Sequence, residues 1–480
     1  MGRTNTMRTI LRNASWIRTC DDAQPWLENG HVSVLDGRIE RVQGMPIGLP
    51  ADENIDLAGC LLTPGLINVH HHFFQSLTRA IPRAHRAASE DWLVNLYPLW
   101  AEMTPEDIAA AASTAAAELL LSGCTTSADH AFNLGAQGDE RITAQIEAVR
   151  SLGMRLHLVR SCLPSIGGRV QERLSGIMGT RLSRLLDEPD ALMRQTRDDI
   201  ARWNEPGEGG MLRFALGPSN ISYTQAGLMR DIGALAAELG CGLHAHLHPR
   251  SAERALSKRE TGMDPVEFLQ AAGWLRPGTW FAHCTELNDT DIALFADSSV
   301  GVAHCPRTVL RLGYRMPRLH RMRAAGIPVG IGADGAASND SGAFLADVRL
   351  ALLLHRAGGA DEMDPAQDWF SPDDVMRMAT RDAAMMLGRP ELGVIAPGMR
   401  ADLAAFDLLG LDCAGALDDP LGGFLLAGSN TRAKLTMVEG RILVRDGQLT
   451  VGDERQIAAD ANTRSRALLA RARQLYPQLG

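Results

Sequence analysis

Between residues 61 and 334 the chain repeats one pattern: a short apolar, β-branched run, then a longer helical stretch. Short apolar runs separated by helical segments are the signature of parallel strands joined by crossover helices. Eight candidate strands can be counted, at 61–70, 123–129, 155–161, 212–218, 242–247, 279–283, 300–304 and 328–334. Helix signals separate them. Thr104-Pro105-Glu106-Asp107, for example, offers an N-cap, a proline at the first helical position and an acidic residue at the third. Eight strands with alternating helices predict an α/β chain built on a (β/α)8 barrel, and no Gly-rich phosphate loop follows any strand to favour an open doubly wound sheet.

The chain ends read differently. Segments 8–20 and 30–43 look like short strands, with Asp36-Gly37 as a hairpin turn, and the same pattern returns at 401–407 and 434–444. Both ends therefore contribute to one small β-domain. The expected division is 1–60 and 393–455 for that domain, 61–392 for the barrel and 456–480 for a C-terminal helix.

Composition limits the partners. The 480 residues include 48 basic and 57 acidic side chains, a net charge of −9, with no basic run to attract a phosphate backbone. No apolar stretch is long enough to span a bilayer. The eight cysteines form no C-x-x-C pair and read as reduced thiols. A cytoplasmic protein acting on a small molecule is expected, with neither nucleic acid nor membrane as partner.

In such a barrel the chemistry sits where the strands end. Here those ends carry His70-His71-His72, Asp129-His130, His244-Ala245-His246-Leu247-His248, His283, His304 and Asp334, so that nine of the 14 histidines lie there. Strand alternation lets His70 and His72 face one point while His71 turns away. A nitrogen from His246 and an oxygen from Asp334 complete a ligand set suited to zinc, iron or cobalt.

Pro64-Gly65-Leu66-Ile67-Asn68-Val69-His70-His71-His72, Gly123-Cys124-Thr125-Thr126, His244-Ala245-His246, Ala282-His283-Cys284, Ala303-His304-Cys305-Pro306 and Gly332 through Asp340 together resemble the amidohydrolase superfamily. The similarity is greatest to the branch of triazine hydrolases and 8-oxoguanine and related heterocycle deaminases, and Gly393 to Asp402 resembles that branch's return into its β-sandwich. The resemblance implies His70, His72, His246 and Asp334 as metal ligands and His283 beside the attacking water. It also implies a homo-oligomer. Binuclear members use a carboxylated lysine on the fourth strand; this chain has only Lys258 and Lys434, neither of them near 212–220, which implies a single ion.

A bound divalent ion brings the pKa of a coordinated water from 15.7 to about 7. Asp334 is then the expected proton acceptor and His283 the group that orients the nucleophile. One position departs from the pattern. Where the deaminases carry a glutamate three residues after the fifth-strand ligand, this chain has Pro249, and His248 is the nearby candidate for the proton relay. The sequence leaves both inward and outward directions open for His248. Loss of the glutamate shifts the expectation toward hydrolysis of a C–N or C–S bond at a urea-, carbamate- or amide-like carbonyl, as in the phenylurea and thiocarbamate hydrolases. The alternative is an aminohydrolase or chlorohydrolase of a purine, pterin or triazine ring. Gln75, Arg160, His304 and Trp92, with Tyr97 and Trp100, are the expected substrate contacts, and Asp129 and His130 the expected partners of a ligand histidine.

Overall fold

The computed structural model describes residues 7–132, 135, 138–357 and 363–479. Its first sheet joins the chain ends. It comprises β1 (Arg8–Arg18), β2 (Trp26–Leu35), β3 (Arg38–Gln43), β4 (Glu53–Asp56) and β5 (Cys60–Pro64) from the N-terminal side. Its C-terminal strands are β14 (Leu403–Asp407), β15 (Leu435–Val438), β16 (Arg441–Arg445) and β17 (Gln448–Leu449), and β5 pairs antiparallel with β14 across the two halves. The β2–β3 turn is the expected Asp36-Gly37, with φ of +50° and +78°, the backbone that a two-residue hairpin requires.

The second sheet is parallel and runs in sequence order: β6 (Leu66–Asn68), β7 (Cys124–Ala131), β8 (Arg155–Cys162), β9 (Leu212–Pro218), β10 (Gly242–Leu247), β11 (Thr279–His283), β12 (Gly301–His304) and β13 (Val329–Ile331). Isolated hydrogen bonds close it into a barrel across the seam from β13 to β6: Val69 N donates to Ile331 O (3.1 Å) and Asp334 N to His70 O (2.9 Å). Ile67, Val69, Ala128, Val159, Ala215, Trp280, Ala282 and Ala303 fill the lumen, while the alternate residues pack against the helices. Gly217 is glycine for a reason of space, because a Cβ there would lie 1.8 Å from the carbonyl oxygen of His244.

One expected strand divides. Residues 61–70 form the end of β5 in the first sheet and β6 in the barrel, with Gly65 between them. A side chain at Gly65 would strike Thr125, so the glycine lets the chain step from one sheet to the other against β7. Helix α1 (Ser89–Ala101) and helix α2 (Pro105–Leu121), the latter with the Thr104/Asp107 capping box, follow β6. The C-terminal helix, Glu454–Leu475, braces this region: Ser465 Oγ donates to Leu77 O (2.7 Å), and Tyr476, just beyond the helix, donates its hydroxyl to Glu102 (2.6 Å). All eight cysteines are buried and unpaired. Among the described residues no helix is long and apolar enough to cross a membrane.

Candidate metal centre and active site

The histidine-rich strand ends converge. Asp334 Oδ1 lies 3.5 Å from His70 Nε2 and 3.3 Å from His72 Nε2, and His72 Nε2 lies 3.1 Å from His246 Nε2. The opposite ring nitrogens are committed to the scaffold. His72 Nδ1 bonds the carbonyl of His130 (2.9 Å), and His246 Nδ1 that of Ser219. His70 Nδ1 faces His244 Nε2 at 2.8 Å, and His244 Nδ1 faces Trp280 O at 2.9 Å. This chain fixes tautomers. A carbonyl only accepts, so His244 carries its proton on Nδ1 and accepts on Nε2; His70 must then donate from Nδ1, leaving the lone pair of Nε2 directed at the site.

His70 Nε2 is buried without a hydrogen-bond partner. A buried imidazole nitrogen left bare beside a carboxylate and two further imidazole nitrogens is the environment a divalent cation satisfies, so the residues fit a metal. Burial holds the histidines in the neutral, ligating form: His70 is pushed far below its ordinary value and His72 to about 4. For Asp334, burial acts upward, but the imidazoles of His70, His283 and His72 around it act the other way and hold the carboxyl well below the usual range.

Two of these residues leave the regular backbone to reach the site. His283 ends β11 at φ +73° and Asp334 lies at φ +62°, both in the left-handed region that non-glycine residues seldom occupy. On β11 the inward positions are Trp280 and Ala282, so strand alternation alone would send His283 outward. The turn brings His283 Nε2 to 3.8 Å from Asp334 Oδ2. His248 points inward as well: its ring stacks on His283 (4.7 Å between centroids, 21° between planes) and meets Tyr314 at 4.7 Å.

Above the cluster opens a cavity. His72, His246, His248, His283 and Asp334 form its floor, and Trp92, Tyr97, Phe132, Tyr223 and Tyr314 form much of its wall. Gln75 lines it too, its Oε1 accepting from Ala337 N (3.3 Å), and Trp92 is held by an Nε1 bond to Ala337 O (2.8 Å). The segment after β12, Cys305-Pro306-Arg307-Thr308, starts a helix (Pro306–Leu312) that turns Thr308 and Leu312 into the cavity.

Several expectations need correction. Arg160 does not reach this cavity; Val159 takes the inward position on β8, and Arg160 is buried on the outer face, with Nε 2.8 Å from Asp199. His304 likewise faces outward behind Ala303, fully buried, and does not line the cavity. Trp100 packs behind the wall, donating Nε1 to Thr78 (3.0 Å). Asp129 touches no ligand ring: it accepts from Phe73 N (2.6 Å) and Gln145, and burial raises it to about 7. His130 orients His72 through its backbone carbonyl, and its ring nitrogens lie close enough to those of His70, His72 and His246 to belong to the same cluster. The sequence reading missed Phe132, Tyr223, Tyr314, Arg250 and Glu253 as cavity residues. Only the i, i+3 pair of Arg250 and Glu253, at the N-terminal end of the helix after β10, could have given a local signal.

Residues 61–443 match the model of the amidohydrolase family. The chain is 34% identical over 466 residues to 8-oxoguanine deaminase of Pseudomonas aeruginosa, covering 96% of this chain and 99% of the relative. It is 31% identical over 425 residues to hydroxydechloroatrazine ethylaminohydrolase of Pseudomonas sp. strain ADP, covering 87% and 85%. Among solved structures, atrazine chlorohydrolase from Arthrobacter aurescens TC1 complexed with zinc superposes with a TM-score of 0.88 at 32% identity, over 95% of this chain and 100% of that one. A barrel on which four candidate ligands converge, matched over most of its length by that family's model, belongs to the amidohydrolase family of metal-dependent hydrolases.

Proposed function

We propose that this protein displaces a substituent from a ring carbon of a nitrogen heteroaromatic by hydrolysis, as an aminohydrolase or dehalogenase of a purine, pterin or triazine, using one divalent ion, zinc in the first instance. The observation that carries this reading is His248, turned into the cavity and stacked on His283, where a proton donor can meet a ring nitrogen. Pro249 alone argued for a carbonyl substrate. The relatives, a deaminase, an ethylaminohydrolase and a chlorohydrolase by name, weigh for the ring instead. The aromatic wall agrees, since flat rings stack against flat side chains.

His70, His72, His246 and Asp334 would hold the ion. When bound, it supplies positive charge that makes hydroxide available near neutral pH. Asp334 presents Oδ2 toward His283 and accepts the proton of the attacking water, then returns it to the leaving group. His283 orients the nucleophile by hydrogen bonding, its ring fixed by the His248 stack. His248, held neutral by burial, donates an N–H hydrogen bond to the ring nitrogen as the attacked carbon becomes tetrahedral, in the place glutamate has in the deaminases. Trp92, Tyr97 and Phe132 keep bulk water from the ring.

The test is product mass spectrometry in ¹⁸O-labelled water on the zinc-loaded enzyme, with amino- and chloro-substituted rings beside ureas, carbamates and amides. Label entering the ring with loss of ammonia, amine or chloride is expected. Label confined to the carbonyl compounds would overturn the reading.

A further inference from the structure

His248 has one ring nitrogen engaged and one left for the cavity. Nδ1 lies 3.3 Å from Thr285 Oγ1, whereas Nε2 has no partner among the described residues and keeps accessible surface in the cavity that the residue lines. The two residues are held in one frame. The left-handed backbone at His283 and Cys284 (φ +73° and +48°) turns the end of β11 so that the His283 ring stacks on that of His248 and the Thr285 side chain reaches its edge. Cys284 N donates to Leu247 O (3.1 Å), and Arg254 joins the segments again, donating Nε to Pro249 O (2.8 Å) and Nη2 to Glu286 O (3.1 Å). Hydrogen accounting then decides which partner donates. Thr285 is 4% exposed, and Nδ1 is the one partner of its hydroxyl among the described residues. If Nδ1 carried the ring proton, the hydroxyl would accept and its own hydrogen would be buried without an acceptor. If the hydroxyl donates, only a lone pair goes unused, which costs less.

We propose that Thr285 is a positioning residue: its hydroxyl donates to Nδ1 of His248 and so fixes the proton of the neutral ring on Nε2, the nitrogen that faces the cavity. Nε2–H then meets an unprotonated sp² nitrogen of the substrate ring and rejects a ring N–H at the same place. Thr285 does not itself line the cavity, so it acts through His248. The use of this donor in catalysis rests on the ring-substrate reading; the choice of tautomer does not.

Nuclear magnetic resonance reads the tautomer directly. In zinc-loaded, full-length protein with ¹⁵N-labelled histidine rings, two-bond proton–nitrogen correlations show which nitrogen carries the proton, and the signals of His248 are those missing from His248→Gln. The Nε2–H form is expected in the wild type and in Thr285→Ser, which keeps the hydroxyl. Thr285→Val keeps the shape and removes the donor, and a hydrogen bond of ordinary strength predicts a tautomer ratio shifted by about 2- to 10-fold toward Nδ1–H. In that variant kcat on ring substrates should fall with the lost Nε2–H fraction, and Thr285→Ser should hold it at the wild-type level. A wild-type ring protonated on Nδ1, or a ratio unmoved in Thr285→Val, would overturn the proposal. Ring turnover lost in His248→Gln but untouched in Thr285→Val, with the tautomer also untouched, would sink the role of Thr285 and spare the proposed reaction. A measured loss of the Nε2–H fraction with no loss of kcat would do the reverse, keeping the tautomer assignment and removing His248 from the reaction.

Discussion

His244 touches no substrate, yet replacing it should weaken metal binding. In His244→Phe the ring still stacks on Trp280, where the centroids are 4.6 Å apart, but both nitrogens vanish. Trp280 O and His70 Nδ1 then lose partners at 2.9 and 2.8 Å in a fully buried setting. Each unpaired group costs about 1–3 kcal/mol, so a stability loss of about 2–6 kcal/mol is expected. More specifically, nothing then holds the proton of His70 on Nδ1. Loss of such a supporting hydrogen bond lowers metal affinity by about 10- to 100-fold, equivalent to about 1.4–2.7 kcal/mol. Competition for zinc against a chromophoric chelator measures this directly. His244→Gln, able to donate to Trp280 O and accept from His70, should recover part of the loss. Unchanged zinc affinity in His244→Phe would refute the tautomer argument, and equal weakening in Gln and Phe would reduce His244 to packing.

Asp334→Asn should lower kcat by at least about 10³-fold with an unchanged circular dichroism spectrum, and turnover near the wild-type rate would contradict its role as proton acceptor. His248→Ala should lower kcat by about 10²- to 10⁴-fold on ring substrates, measured at saturating zinc; an unaffected rate would leave it a packing residue. Arg160→Met strips the buried Asp199 of its partner and should cost about 3–5 kcal/mol in urea denaturation while KM stays put; a raised KM would restore Arg160 to the substrate site. Burial raises Asp347 from 3.8 to about 7, opposed by Arg307 and Asn339. A folded-state pKa above the unfolded one favours the protonated native form, so this residue's contribution to stability is full below about pH 4 and is lost as pH rises toward 7. Asp347→Asn should flatten that part of the stability profile, and an identical pH slope in the two proteins would count against it.

Where local pattern decided the outcome, the sequence was legible. β9, β10 and β11 fall on the expected residues because each is an apolar run closed by a helix signal, and the ligand set follows from histidines at those ends. The division of 61–70 was not visible, because periodicity records that a run is buried and not which sheet it joins. Arg160 and His304 were misplaced by reading nearness to a strand end without parity; Val159 and Ala303 already hold the inward register. His283 is the converse case. Parity would send it outward, and only its left-handed backbone, a tertiary outcome, turns it in. The cavity wall was least legible, since Phe132, Tyr223 and Tyr314 come from separate loops with no shared spacing.

The barrel's weakest join is also where the proposed ligands meet. Between β13 and β6 there is no regular ladder, only scattered hydrogen bonds, among them Ala333 N to Asn68 Oδ1 at 2.9 Å. His70 and His72 belong to one lip of that seam and Asp334 to the other, so an ion held by all three fastens the first barrel strand to the last. Stripping the ion should therefore unzip the fold locally, with amide exchange around Val69, Gly332 and Asp334 rising first. On this view the cofactor is a structural clasp as well as a reagent, and a chain whose last barrel strand has yet to fold cannot complete its ligand set.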